Sequence, residues 1–447
     1  MSLYPSVPRP QGVATAAGGR VCPAPAAQGR LLLKGGHLVD PKNGREGPFD
    51  LALEGDRVAE AAPHIDPQPG DRVVDCRGLL VLPGLIDMHL HMGDLFEVST
   101  APIQNAVCHG VTAAFTPGAG NTFMAPALFG GEFDRGLPLS GGCYLGAASL
   151  LACQLDDDEL AAYFAGDLPW DTALQKFSRA PLTAATGALV MGVKDHMGHL
   201  ILSDAQIERL FAVTSRARLL LMSHTQDPAH AERMAALSKG RPLYLGHASA
   251  AGCSTHAGGA EGMRRVLALC RQPNITGELV SSMLRPGRGN REGLRIDPQA
   301  QALCFEALAE GTVSILCSDG QGDCTMKGFG DTRDNLPAIL ELAENGVLPL
   351  SRAVATMTQN PAAYLSEITG VPFFAEKLGQ LGAGARANVV LCDQGAKRAV
   401  CTIVNGEIAA FEGRCVRSGA GAGRFLSHLG EAHPFGVGNL PLWDRAE

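Results

Sequence analysis

The sequence predicts an α/β protein: a parallel (β/α)8 TIM barrel with a small β-sandwich domain built from both chain ends. Three observations predict it. Short apolar runs alternate with helix-like stretches through the middle of the chain. Blocks of still shorter runs, punctuated by Gly and Asp, flank that middle on both sides. Residues able to hold a metal fall at the C-terminal ends of the central runs, where such barrels place their catalytic groups.

Residues 1–30 are rich in Ala, Gly and Pro and lack the continuous hydrophobic core of a secretory signal, so they read as a flexible leader. From Leu31 the text changes. LLLKGGHLVD, FDLALEGDRVAEAA and VVDCRGLLVLPG have the pattern of short antiparallel strands and turns. A matching block returns as ANVVLCDQ and CTIVNGEIAAFEGR, in which Asn-Gly between two strand-like runs signals a hairpin. Residues 31–82 and 376–415 are therefore expected to form one composite β domain, with the barrel at 83–375. The remaining segment, 416–447, has no helical or strand period and reads as a C-terminal tail, either wrapped on a neighbouring subunit or loose.

Within the middle region the candidate strands are LIDMHLH, VTAAFTPG, LSGGCYLGA, ALVMGVKD, RLLLMSHT, PLYLGHAS, NITGELVSS and TVSILCSDG. Stretches such as SDAQIERLFAVTSRA and DPQAQALCFEALAEG, opened by Ser or Asp caps, supply helices between them. A span of roughly 290 residues suits a barrel whose usual size is about 250.

Composition narrows the function classes. A chain of 447 residues with 46% hydrophobic and 18% charged residues is long enough to bury a large core. Its apolar runs are broken well before the ~20 residues needed to span a bilayer. A net charge of −8 argues against nucleic acid or an anionic membrane as partner and says nothing finer. The 13 Cys contain no CxxC pair, which fits free thiols in a reducing cytoplasm better than a disulfide framework or a zinc ribbon.

The chemistry lies in where particular residues fall. His89 and His91 stand at i and i+2 on the first strand and so project from one face. Lys194 closes the fourth strand, His224 the fifth, His247 the sixth and Asp319 the eighth. Lys194, His224 and His247 are spaced by single β/α units. Imidazoles and a carboxylate converging on one rim make a nitrogen and oxygen donor set suited to Zn²⁺, or to Mn²⁺, Fe²⁺ or Ni²⁺. His196 and His199 follow Lys194 in KDHMGH and read as loop residues near the substrate or at the surface.

PGLIDMHLHMG resembles the opening motif of the amidohydrolase superfamily, and the later His, His and Asp fall in that superfamily's order. LGQLGAGARANVVLCD echoes the superfamily's pattern in the flanking β domain, so the resemblance covers most of residues 31–415. Lys194 implies the binuclear subtype, in which a strand-four lysine carbamylated by CO2 bridges two metals; dihydroorotases, hydantoinases and isoaspartyl dipeptidases belong there. The resemblance implies one metal on His89, His91 and Asp319 and the other on His224 and His247. It also implies a bridging hydroxide as nucleophile, with Asp319 as general base and then general acid. Relatives of this subtype are commonly dimers or tetramers, so a homo-oligomer is expected.

GVK and SDGQGD look closest to isoaspartyl dipeptidase, whereas GHAS resembles the cyclic-amide hydrolases. The dipeptidases hold a substrate carboxylate with arginines after the bridging lysine and after the sixth-strand histidine. KDHMGHLI and HASAAGCS contain none. The loop after strand seven offers Arg285, Arg288, Arg291 and Arg295 instead; Arg285, nearest the strand end, is ranked first, with His199 and Ser249 as further substrate contacts. The expected reaction is hydrolysis of the C–N amide bond of a small cyclic amide, imide or ureide, or of an N-acyl amino-acid-like substrate. The alternatives are a mononuclear heterocycle deaminase and a catalytically inactive dihydropyrimidinase-like scaffold.

Overall fold

The computed structural model describes residues 29–92, 103–118, 121–196, 201–285, 295–321, 329–416 and 422–432. Eight parallel strands follow one another in chain order: β1 (Leu85–Asp87), β2 (Val111–Thr116), β3 (Ser140–Gly146), β4 (Gly192–Asp195), β5 (Leu220–His224), β6 (Leu243–Gly246), β7 (Ile275–Val280) and β8 (Ile315–Cys317). Each pairs with the next, as in Leu220↔Gly192 and Leu243↔Ile275. A parallel bridge between Leu90 and Gly320, and a hydrogen bond from His91 N–H to Gly320 O (3.1 Å), join the chain leaving β1 to the chain leaving β8. The two edges of the sheet thereby meet beside the metal-ligand candidates.

The strands are buried on both faces, so they read as near-continuous apolar runs rather than alternating ones. One face packs against itself through Ile86, Phe115, Tyr144, Met222, Tyr244 and Ile315. The other packs on the helices, several of which start where capping chemistry predicts. Ser203 and Gln206 form a reciprocal capping box at the helix Asp204–Ala217, and Asp297 caps Pro298–Glu310.

The first and last β blocks are hydrogen-bonded as one nine-stranded sheet. The strand Leu80–Pro83 pairs antiparallel with Val389–Asp393, joining segments from opposite ends of the chain. The long strand Leu31–Asp40 shifts register between Leu33 and Gly36, pairing Arg72–Asp75 before the irregularity and Leu80–Pro83 after it.

The expected tail behaves differently. Phe425–Ser427 and Gly430–Ala432 form a hairpin whose first strand pairs with β3 at Gly141, so this part of the segment docks on its own barrel. The approach needs glycine, since a Cβ on Gly142 would lie 2.1 Å from Leu426 O. Residues 433–447 and the leader through residue 28 lie outside the described residues. No helix among the described residues is long and apolar enough to cross a membrane.

Candidate metal centre

Six residues meet at the C-terminal rim of the strands. His224 ends β5, His247 follows β6 directly, Lys194 is the penultimate residue of β4, and Asp319 lies just past β8. His89 and His91 lie beyond the end of β1, where the Leu90 bridge keeps the strand-like alternation and both rings on one side. His247 and Asp319 both sit at φ +44°, a left-handed conformation costly for residues with a Cβ. Two such positions on adjacent functional side chains show that the chain turns sharply at the rim to aim these groups inward.

The side chains are close together, and all but the half-buried His224 are buried. Asp319 Oδ1 lies 3.2 Å from His89 Nε2 and 3.4 Å from His91 Nε2. The other oxygen is fixed by the Phe329 N–H at 3.0 Å. Ring centroids are 5.0 Å apart for His89 and His247 and 4.4 Å for His224 and His247. Lys194 is among the largest fully buried side chains. A Cβ on Gly246 would stand 3.0 Å from its Nζ, so glycine at that position keeps space open beside the amine.

Burial sets the protonation states. It holds the imidazoles of His89 and His247 well below their usual range, and that of His224 down at about 4, so all three carry lone pairs at neutral pH. It also pushes the Lys194 amine down to about 8. Burial alone would raise Asp319, but His89 and His91 outweigh it and hold the carboxyl at about 2.

Metal fit is testable on the atoms themselves. Among the described residues, Lys194 Nζ, His224 Nδ1 and His247 Nδ1 are buried without a hydrogen-bond partner, an expensive state that a bound cation and its ligands would relieve. His89, His91 and Asp319 offer ligand atoms within 4.8 Å of one another. Neutral imidazoles and an ionised carboxylate are the donors a divalent cation takes. The residues fit.

Glu278 escaped the sequence reading. It sits inside β7, fully buried, with Oε1 2.6 Å from His89 Nδ1. A lone Glu in the apolar run of ITGELV was the available signal. Asp87 was missed likewise: it accepts the N–H groups of His89 (3.2 Å) and Ser318 (3.1 Å), and burial pushes its carboxyl up to about 7. Behind Lys194, Asp195 receives Ser223 Oγ–H at 2.8 Å and stands 2.6 Å from His230 Nε2.

The expected substrate contacts fare differently. Arg285 forms ion pairs with Asp334 and Glu341 and lines a separate cavity of about 430 Å³ that includes His109, Arg333 and Lys397 but none of the six rim residues. Its guanidinium pairs with carboxylates from the turn Thr332–Asp334 and the helix Asn335–Glu344 that follows it. Ser249 is buried, its hydroxyl accepting the Val280 N–H at 2.9 Å, which ties β6 to β7. His199, Arg288 and Arg291 lie outside the described residues, and Arg295 is exposed. His196, by contrast, stands at the site, its ring 5.3 Å from that of His224.

The sequence profile of the Amidohydrolase family matches residues 80–412. The dihydroorotase of Geobacter sulfurreducens is 24% identical over 364 residues, covering 75% of this chain and 85% of that protein. The dihydroorotase of Trichlorobacter lovleyi is 23% identical over 439 residues, covering 86% and 100%. Among solved structures, the D-hydantoinase (dihydropyrimidinase) from Thermus sp. matches with a TM-score of 0.65 at 15% identity, covering 89% of this chain and 98% of that one. The beta-aspartyl dipeptidase from Fervidobacterium islandicum matches with a TM-score of 0.60 at 18% identity, covering 87% and 98%. These structural likenesses establish the shared fold. With a family profile running through most of the chain and a buried donor set at the rim of its barrel, this protein belongs to the amidohydrolase family.

Proposed function

We infer that this chain is a binuclear metal-dependent hydrolase that opens the C–N amide bond of a small cyclic amide, imide or ureide. The observation that carries the reading is the convergence of Lys194, His224, His247 and the His89–His91–Asp319 group in one buried cluster with unsatisfied donor atoms. His89, His91 and Asp319 would hold one divalent ion and His224 and His247 the other, with Zn²⁺ the best match to the ligands. Bound there, such ions supply Lewis-acid polarisation of the scissile carbonyl and acidification of water.

The chain's own groups supply the rest. Asp319, ionised at neutral pH with Oδ2 pinned by Phe329 N–H, presents Oδ1 as the acceptor for the proton of attacking water. It then returns that proton to the leaving nitrogen, which would otherwise depart as a poor anion. Lys194 would serve as an anionic ligand in carbamylated form. A buried ammonium would repel the metals, whereas a desolvated neutral amine could add CO2 and release a proton to become a carbamate anion. Glycine at position 246 keeps a side chain from crowding the amine.

Two features favour cyclic substrates over linear ones. The two relatives named above are dihydroorotases, and the segments following Lys194 and His247 lack an arginine for a dipeptide carboxylate. The test is a turnover screen of enzyme reconstituted with Zn²⁺ or Mn²⁺ and bicarbonate against dihydropyrimidines, hydantoins, cyclic imides, N-acyl amino acids and β-aspartyl dipeptides. About two metals per chain and opening of a cyclic substrate are expected. Turnover confined to the linear compounds would overturn the cyclic reading, and a single metal with release of ammonia from a heterocycle would point to deamination.

A further inference from the structure

Glu278 is fully buried in the middle of β7 and reaches three other strands of the barrel. Its Oε1 lies 2.6 Å from His89 Nδ1 and accepts the backbone N–H of His247 at 3.0 Å. Its Oε2 accepts the Tyr244 hydroxyl at 2.8 Å, and the Cys317 thiol is also within hydrogen-bonding reach. One carboxylate oxygen thus touches a residue from each half of the donor set. His89 groups with His91 and Asp319, and also with Glu278 and Cys317; His247 stands beside His224, at a centroid distance of 4.4 Å.

This arrangement has a definite consequence for a metal ligand. His89 turns Nε2 toward Asp319, so Nε2 is the nitrogen available to a cation and Nδ1 must then carry the proton. Glu278 is placed to accept that proton, which fixes the tautomer, locks the ring plane and makes Nε2 a stronger donor. The same oxygen holds the N–H of His247, whose backbone stands at φ +44° and needs a partner to stay there.

We propose that Glu278 is a positioning residue that preorganises both halves of the metal centre at once, through the His89 ring on one side and the His247 backbone on the other. The inference rests on the binuclear metal reading given above. Tyr244, bonded to the opposite oxygen, keeps the carboxylate from rotating away.

The test compares wild type, Glu278→Gln and Tyr244→Phe for metal affinity by chelator competition, for the visible spectrum of the Co²⁺-substituted proteins, and for the thermal midpoint of the metal-free forms. Glu278→Gln keeps the shape and replaces the carboxyl group with a neutral amide. It is expected to weaken binding of at least one metal equivalent about 10–100-fold and to shift the Co²⁺ bands, with the metal-free midpoint near that of wild type. Excess metal should restore most of its activity, which a general folding defect would not allow. Tyr244→Phe should move affinity in the same direction by less, and it carries the test alone if the glutamine variant fails to fold. Wild-type protein that binds two metals, with variants matching its affinity and spectrum, would overturn this inference alone. Wild-type protein that takes up no divalent metal would overturn the metal reading and this inference together.

Discussion

Asp319 has two oxygens in different circumstances. Oδ2 is held by the Phe329 N–H, and Oδ1 faces the imidazoles of His89 and His91. Replacing it with Asn keeps the side-chain oxygen and the shape but removes the charge that accepts a proton. Asp319→Asn is therefore expected to retain most of the bound metal and to lose turnover by about 100-fold or more. Metal analysis and steady-state kinetics check both halves, and near-normal turnover would remove Asp319 from the proton-transfer role. The residues that were readable in the sequence share a property with Asp319: each is a polar group placed where an apolar run stops. Glu278 lacks that property, since it lies inside its run, and a single Glu amid apolar neighbours carries no hint of its partners. Arg285 shows the converse case. Closeness to a strand end marked it out, but Asp334 and Glu341, remote in sequence, neutralise it.

At the scale of elements, all eight barrel strands were legible because burial on both faces makes each a compact apolar run with a polar residue or turn signal after it. The C-terminal hairpin was not. Its strands, Phe425–Ser427 and Gly430–Ala432, have three residues each, too few to show a period. The adjacent glycines of β3 were the only trace of it, and their reason is visible only once Leu426 O is seen against Gly142. His428 sits between those two strands, buried, with Nδ1 2.8 Å from Val190 O and Nε2 2.9 Å from Phe164 O. Burial depresses its pKa, against the opposing pull of the two carbonyls. A group whose folded pKa is depressed stabilises the fold above its unfolded value, about 6.5, and loses that contribution as pH falls below it. His428→Gln, neutral at every pH, should therefore show a shallower loss of thermal midpoint than wild type between about pH 6.5 and 5. Parallel slopes for the two proteins would mean that the His428 imidazole does not hold a depressed pKa in the fold.

For the whole molecule, the metal centre and the closure of the barrel are one problem. The candidate ligands come from β1, β4, β5, β6 and β8, and the Leu90–Gly320 bridge that joins the sheet's two edges lies between His89, His91 and Asp319. Among the described residues, that rim holds buried donor atoms with no hydrogen-bond partner and two non-glycine residues in left-handed conformations. Metals that bind the folded chain and not the unfolded one stabilise it by mass action, by about 4 kcal/mol when free metal stands a thousandfold above Kd. Chelation is thus expected to abolish turnover and to lower the thermal midpoint by at least a few degrees. Both should return with Zn²⁺ or Mn²⁺, and return more fully when bicarbonate is present to carbamylate Lys194. Bicarbonate dependence would separate the proposed carbamylated Lys194 from a simple mononuclear site, because only the former needs CO2 to complete its ligands. A metal-free protein that melts with the loaded one would show that the rim is stable without ions, and would break the proposed link between closing the barrel and assembling the centre.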